Sequence, residues 1–154
     1  MDMTTTQTMQ AQGSLLLEDQ LCFPLYACAK EIVRKYRGPL EPLNLTYTQY
    51  IVMLVLWEQD GITVGDLCRR LMLDSGTLSP LIKKMSSLGY LVKQHSTEDE
   101  RVVLIHLTEQ GKALQEKAKD IPQQVGKCVK LEPEKAKQLY SLLYELLKAN
   151  NDEF

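Results

Sequence analysis

Residues 73–91, LDSGTLSPLIKKMSSLGYL, decide the fold. Leu78, Leu81, Ile82, Met85 and Leu88 recur at the three- and four-residue spacing that places apolar side chains on one face of an α-helix. Asp74 and Ser75 supply side-chain oxygens for the unpaired amides at the helix start, and Gly89 ends the run. The other face begins beside Asp74 and carries Ser75, Thr77, Ser79 and Pro80 with Lys83 and Lys84: small polar groups plus cations, which is what reading base edges and gripping phosphates requires. Just upstream, Thr63-Val64-Gly65-Asp66 has the Thr-x-x-Asp form of a helix cap, and Val64, Leu67, Cys68 and Leu71 then turn inward. Two short helices joined by a tight connector, the second with a polar outer face, predict a helix-turn-helix.

Working outward, Tyr90–Lys93 and Arg101–Leu107 are β-prone runs separated by the charged segment HSTEDE, so a hairpin, or wing, directly follows the second helix. Upstream, Thr46–Glu58 is apolar nearly all round and is expected to be a central helix. Before it, Leu21, Leu25, Ala29, Ile32 and Val33 predict a helix over Glu18–Tyr36 that Gly38-Pro39 and Pro42 bring to an end. Residues 1–14 are polar and aperiodic, which predicts a flexible tail. From Thr108 two further helical patterns run to the end, broken near Pro122 and at Glu132-Pro133; the last carries Leu139, Leu142, Leu143, Leu146 and Leu147 on one stripe beside Tyr140 and Tyr144. That is more apolar surface than a small winged domain covers by itself, and it points to a homodimer built from the two chain ends. The expected fold is therefore mainly α with a small β-hairpin. It is one domain over 15–154, with dimerisation helices in 15–45 and 108–154 flanking a winged helix-turn-helix DNA-binding region in 46–107.

The chain has 154 residues and a formal net charge of −2, so a basic DNA-binding surface must come from local clustering. Between Arg69 and Arg101 six basic residues (Arg69, Arg70, Lys83, Lys84, Lys93, Arg101) face four acidic ones (Asp74, Glu98, Asp99, Glu100), a local balance of +2. The longest apolar run, Tyr50–Trp57, is far short of the roughly 20 residues of a membrane helix, and no secretory signal pattern opens the chain. Cys22, Cys28, Cys68 and Cys128 form no CxxC pair and have no histidine at zinc spacing, so the expectation is reduced thiols in a cytoplasm, with no metal and no cofactor.

The order of elements, together with residues 73–91 and STEDERVVLIHLTEQGKAL at 96–114, resembles the MarR family of bacterial winged-helix repressors. LCFPLYA at 21–27 and NLTYTQYIVMLVLWE at 44–58 are similar to the organic hydroperoxide resistance regulators and related thiol-based oxidation sensors within it. The resemblance implies a roughly palindromic double-stranded operator and a wing arginine, here Arg101, in the minor groove, with Asp99 two residues earlier on the same strand face to orient it. It also implies that Tyr36 and Tyr47 reach Cys22 from the other subunit. Cys128, in a long penultimate helix, would then trap oxidised Cys22 as a disulfide, a role a small cellular thiol would take if Cys128 does not reach.

A thiol attacks a peroxide only as thiolate, a form favoured by a helix N-terminus and by hydrogen-bond donors. Cys22 lies near the expected start of the first helix, and Tyr26, four residues on, shares its face. Pro24 fits a helix that either begins close to Cys22 or bends there. Cys28 and Cys68 are expected to be core fillers. The leading expectation is a repressor, not an enzyme, released by oxidation of Cys22 with an organic hydroperoxide as inducer. A regulator controlled by a small aromatic ligand is the first alternative. A thiol peroxidase is a weaker one, because no second catalytic group accompanies Cys22.

Overall fold

The computed structural model describes residues 14–151, so the tail predicted for 1–14 lies, apart from Ser14, outside the described residues. A single 3-10 turn, Leu17–Asp19, leads into helix α1, Cys22–Leu40. Of the two possibilities Pro24 left open, the helix beginning at Cys22 is the one adopted; Pro24 occupies its first turn, where no amide is needed. The helix runs past Gly38 and Pro39, four residues beyond the predicted end. Pro39 sits in the last turn, where one lost hydrogen bond is tolerable, and Leu40 just after it is 1% exposed, anchoring that turn in the core. A second 3-10 turn, Glu41–Leu43, ends on Asn44 in the left-handed region (φ 52°).

Helix α2, Tyr47–Glu58, starts on a capping box that the spacing alone did not single out. The Thr46 hydroxyl accepts from the Gln49 amide at 3.3 Å while the Gln49 side chain accepts from the Thr46 amide at 3.0 Å. Tyr50, Val52, Met53, Val55 and Leu56 are buried, which makes α2 the central element as expected; of its apolar residues only Leu54 is exposed. Helix α3, Val64–Leu71, is capped by Thr63 as predicted, and α4, Ser75–Ser87, by Asp74. Leu78, Ile82 and Met85 of α4 are fully buried.

The sheet has three strands, not two. Strand β1, Ile62–Thr63, pairs antiparallel with β3, Val103–Leu107, whose other edge takes β2, Leu91–His95, in the order β1-β3-β2. A two-residue strand carries no readable alternation, so its pairing with residues 41 and 43 positions further on left no local signal. β2 reaches His95 and β3 starts at Val103; Asp99 and Arg101 therefore belong to the connecting loop and not to a strand.

Helix α5, Glu109–Ala118, is fastened beneath the wing. The Thr108 hydroxyl donates to the Gly89 carbonyl at 2.5 Å and accepts from the Gly111 amide at 3.0 Å, while the Trp57 indole donates to the Gly111 carbonyl at 3.0 Å. A Cβ on Gly111 would run into the Tyr90 carbonyl oxygen, which explains the glycine of the LTEQG segment by close backbone approach. Tyr90 in turn donates its buried hydroxyl to the Leu43 carbonyl at 2.9 Å. The remaining chain forms a short helix α6, Ile121–Gly126, and a long helix α7, Pro133–Asn150: three helices after the wing where the pattern suggested two. No residue of α7 is buried.

Candidate functional site

Two groups of predicted residues occupy different parts of the molecule. The first lies along α4 and the wing. With Leu78, Ile82 and Met85 turned into the core, Ser75, Thr77, Ser79, Pro80, Lys83 and Lys84 are all exposed, the face predicted from periodicity. Asp74, also exposed, caps α4. Its carboxylate accepts from the Thr77 amide at 2.8 Å and from the Thr77 hydroxyl at 2.9 Å, contacts that hold it below the usual carboxylate range, with the Thr77 hydroxyl the largest cause. Thr77, its proton committed to Asp74, presents only lone pairs outward.

The two lysines also diverge. Lys83 lines an open groove with Gly76, Ser79, Pro80 and Lys93, between α4 and β2. Lys84 instead lines a groove at the end of α1, with Arg37, Glu41, Thr46 and Gln49. Arg69 pairs with Asp66 and Arg70 with Glu58, each at 2.5 Å, so two of the three arginines in the local charge count are already engaged. Lys83, Lys84 and Lys93 make no ion pair among the described residues. Lys93 is a residue the sequence reading counted as charge without assigning it to the face. Its exposure at an otherwise core-facing strand position is what betrays it.

Arg101 stands at the wing tip with its side chain 94% exposed. Asp99 accepts from the Arg101 amide at 3.0 Å and lies 3.9 Å from its guanidinium, so the two meet through a loop turn and not along a strand face. The Ser96 amide donates to the Val102 carbonyl at 2.8 Å and the Val102 amide to the Asp99 carbonyl at 3.0 Å, which close the tip.

The second group concerns the thiol. Cys22 is exposed at the first residue of α1, where the backbone amides of the first turn lack intrahelical partners. Tyr26 is exposed one turn on, with the Lys30 ammonium 5.9 Å from its ring centre. Tyr36 is 14 residues from Cys22 on the same helix, about 21 Å along the axis at 1.5 Å per residue. Within one subunit the structure therefore does not bring Cys22 to Tyr36. Tyr36 instead stacks on Tyr47 at 4.8 Å between ring centres and on Tyr50 at 5.6 Å, and Tyr50 meets Trp57 at 6.3 Å. Burial raises the pKa of Tyr36, Tyr47 and Tyr50, and their neighbouring phenols add to it for Tyr36 and Tyr50. All three stay protonated at neutral pH and so remain hydrogen-bond donors. Tyr50 escaped the sequence reading because it sits inside the apolar run of α2.

The other cysteines depart from expectation. Cys128 is exposed in the turn after the six-residue α6, its thiol 3.7 Å from the Gln124 carbonyl, and not within a long penultimate helix. Pro122 and Gly126 leave that helix only two turns. Cys28, expected in the core, is exposed in the subunit because its face of α1 has nothing against it. Cys68 is half-buried against the core, close to its predicted place. Among the described residues no three His, Cys, Asp or Glu side chains gather into a metal-holding group, and no helix is long and apolar enough to cross a membrane.

Residues 30–118 match the family described as Transcriptional regulator SarA/Rot. The chain is 48% identical over 132 residues to the organic hydroperoxide resistance transcriptional regulator of Bacillus subtilis, covering 86% of this chain and 90% of that one. Among solved structures it is similar to AbfR of Staphylococcus epidermidis, at 29% identity and a TM-score of 0.71 over 96% of this chain and 97% of the other. Reduced AbfR bound to DNA gives 30% identity and a TM-score of 0.72, covering 88% and 94%; a disulfide-formed AbfR gives 30% and 0.61, covering 85% and 92%.

Proposed function

The chain belongs to the SarA/Rot group of MarR-type winged-helix transcriptional regulators, DNA-binding proteins and not enzymes, and from that premise we propose that it is a homodimeric repressor released from its operator when an organic hydroperoxide oxidises Cys22. The observation that carries this reading is the split site. The thiol at the exposed start of α1 is about 21 Å along that helix from Tyr36, which packs half-buried and protonated against Tyr47, so they meet only if a second subunit lays its α1 start over them. The hydroperoxide-regulator relative, covered over 90% of its length, supports the choice of oxidant.

The chemistry needs the Cys22 thiolate, the hydroperoxide and a second thiol. The Cys22 thiolate attacks the terminal oxygen of the hydroperoxide, the O–O bond breaks, and the departing alkoxide takes a proton to become an alcohol, leaving sulfenic acid. Hydroxyls of the partner subunit's Tyr36 and the partner subunit's Tyr47 donate to the thiolate before attack. A second thiol, Cys128 or a small cellular thiol, then displaces the sulfenate oxygen as water to form a disulfide. On the DNA side, Ser75, Thr77, Ser79 and Pro80 face the bases of a palindrome, Lys83 and Lys84 the phosphates, and Arg101 the minor groove, with half-sites about 34 Å apart.

A second reading has one observation behind it: the groove at the end of α1 holds Arg37 and Lys84, which suit the carboxylate of a small aromatic acid. Operator binding by Cys22→Ser separates the two. It should bind DNA as the wild type does and fail to release on addition of one equivalent of cumene hydroperoxide, while intact mass shows wild-type Cys22 gaining one oxygen or a disulfide. A Cys22→Ser protein that still releases would remove the thiol reading. Tyr36→Phe and Tyr47→Phe should each slow alkylation of Cys22 at pH 7.

A further inference from the structure

β2 alternates, and its two faces have different company. Leu91 opposes Leu107, Lys93 opposes Ile105 and His95 opposes Val103; Leu91, Leu107 and Ile105 are buried, so Lys93 and His95 continue the core-side face outward along the wing. That is the face turned toward α4, because Lys93 lines the groove it shares with Lys83, Ser79 and Pro80. His95 is the next residue out, exposed, at the point where the strand becomes the wing tip.

Its imidazole is not free to turn. Nδ1 lies 2.8 Å from the Glu100 carbonyl oxygen. A carbonyl only accepts, so Nδ1 carries the hydrogen and Nε2 bears the lone pair, facing away from the loop. This bond crosses the tip and holds the peptide immediately before Arg101, whose side chain is almost fully exposed. Protonation at Nε2 leaves the Nδ1 bond in place, so a positive charge can appear there without any rearrangement.

We propose that His95 is a further DNA-contacting residue of this wing: its Nδ1 hydrogen bond positions the Arg101 turn, and its Nε2 side, as imidazolium, meets the phosphate backbone in line with Lys93 and Lys83. Charged groups around it are Lys93 on its own strand, Glu98, Asp99, Glu100 and Arg101 in the loop, and Lys83 on α4; the strand opposite presents Val103. DNA adds negative charge on this side, so an imidazolium there meets an opposite charge that the neutral ring does not. Operator affinity then rises as pH falls. The inference rests on the wing meeting DNA, as proposed above.

The test uses the reduced full-length protein and a duplex of about 30 base pairs that it selects from a randomised pool. At pH 8, His95→Asn keeps an amide donor for the Glu100 carbonyl and should bind like wild type, whereas His95→Ala should bind about threefold or more weakly. From pH 8 to pH 6 the wild type should gain about threefold or more in affinity, with a steeper salt dependence by about one ion, and His95→Asn should gain neither. The chain has only one other histidine, and His106→Gln, on the opposite strand face, should retain the wild-type gain. A His95→Asn protein with the wild-type pH response, or His95→Ala indistinguishable from wild type at both pH values, overturns the proposal. Arg101→Ala reports on the premise separately: unchanged affinity there removes the wing from the DNA. A loss for Arg101→Ala without any His95 effect removes only this inference.

Discussion

The winged body and the two end helices obey opposite rules. Among the described residues, every buried hydrophobic one lies between Leu40 and Val125. α7 contributes none, and α1 contributes only its final residue, Leu40. Yet the end helices are as apolar in pattern as the body: Leu25, Ile32 and Val33 on α1 and Leu139, Leu142 and Leu146 on α7 are each more than 40% exposed. The body is complete within one chain, because α2 threads its centre and Trp57, Tyr90 and Thr108 bind α5, the wing and the α1–α2 turn together. The ends carry a surface that water disfavours and that only another molecule can cover. In this proposal the thiol belongs to the second region and the DNA face to the first, so oxidation acts on the subunit contact and is read out by the body.

The largest expected effect breaks the second region alone. Leu142→Glu places a charge in the middle of the α7 stripe. If that stripe is an interface, burying an unpaired carboxylate there costs several kcal/mol and should shift the protein from dimer to monomer at micromolar concentration in sedimentation velocity. If α7 merely lies in solvent, the same change is harmless or raises solubility. A dimer that survives Leu142→Glu would end the contrast between the regions.

The next effect breaks the first region. Gly111→Ala pushes a methyl group into the Tyr90 carbonyl, which is backbone held by the Thr108 amide at 3.1 Å and cannot move without opening the junction of wing, α4 and α5. A loss of about 2–3 kcal/mol is expected in urea unfolding, at the level of a typical overpacking change, with dimerisation of the folded fraction retained. A neutral outcome would show that the body is looser than its hydrogen bonds suggest.

These two regions were not equally legible. Residues 73–91 carried the helix-turn-helix outright, because a stripe of five apolar positions and a capping aspartate agree on one helix. The surplus of apolar surface at the ends was visible too, though not which residues would stay bare. What escaped was set by distance. β1 exists because Ile62 finds Ile105; α1 passes Pro39 because Leu40 finds the core; Tyr50 joins Tyr36 and Tyr47 because α2 is central. None of these partners is local. The wing arginine was found, but its loop placement was not, since β2 and β3 are lengthened and shortened at the tip by pairing of His95 with Val103. The exposure of Cys28 is likewise a property of a face that the rest of the subunit leaves bare.

The smallest effect sharpens the account of the recognition helix, by asking whether Asp74 belongs to DNA or to the fold. Its carboxylate is the cap of α4, and the Thr77 hydroxyl, followed by the Thr77 amide, holds its pKa below that of an unfolded aspartate. A depressed folded-state pKa means the contribution to stability is fully present above the unfolded carboxylate range, near pH 4, and is lost as pH falls through the folded value. Asp74→Ala should therefore lower the urea midpoint modestly at pH 7, and its gap from wild type should narrow steadily below pH 4. Asp74→Asn keeps an acceptor for the Thr77 amide, so it should restore most of the lost stability at pH 7 and show less of this pH dependence. If Asp74 acts only as a cap, Asp74→Asn should also bind the selected duplex at least as well as wild type, because it removes a negative charge facing phosphates. An Asp74→Asn protein that folds with wild-type stability and loses operator discrimination would return Asp74 to the base-reading set, and the helix start would then be doing both jobs at once.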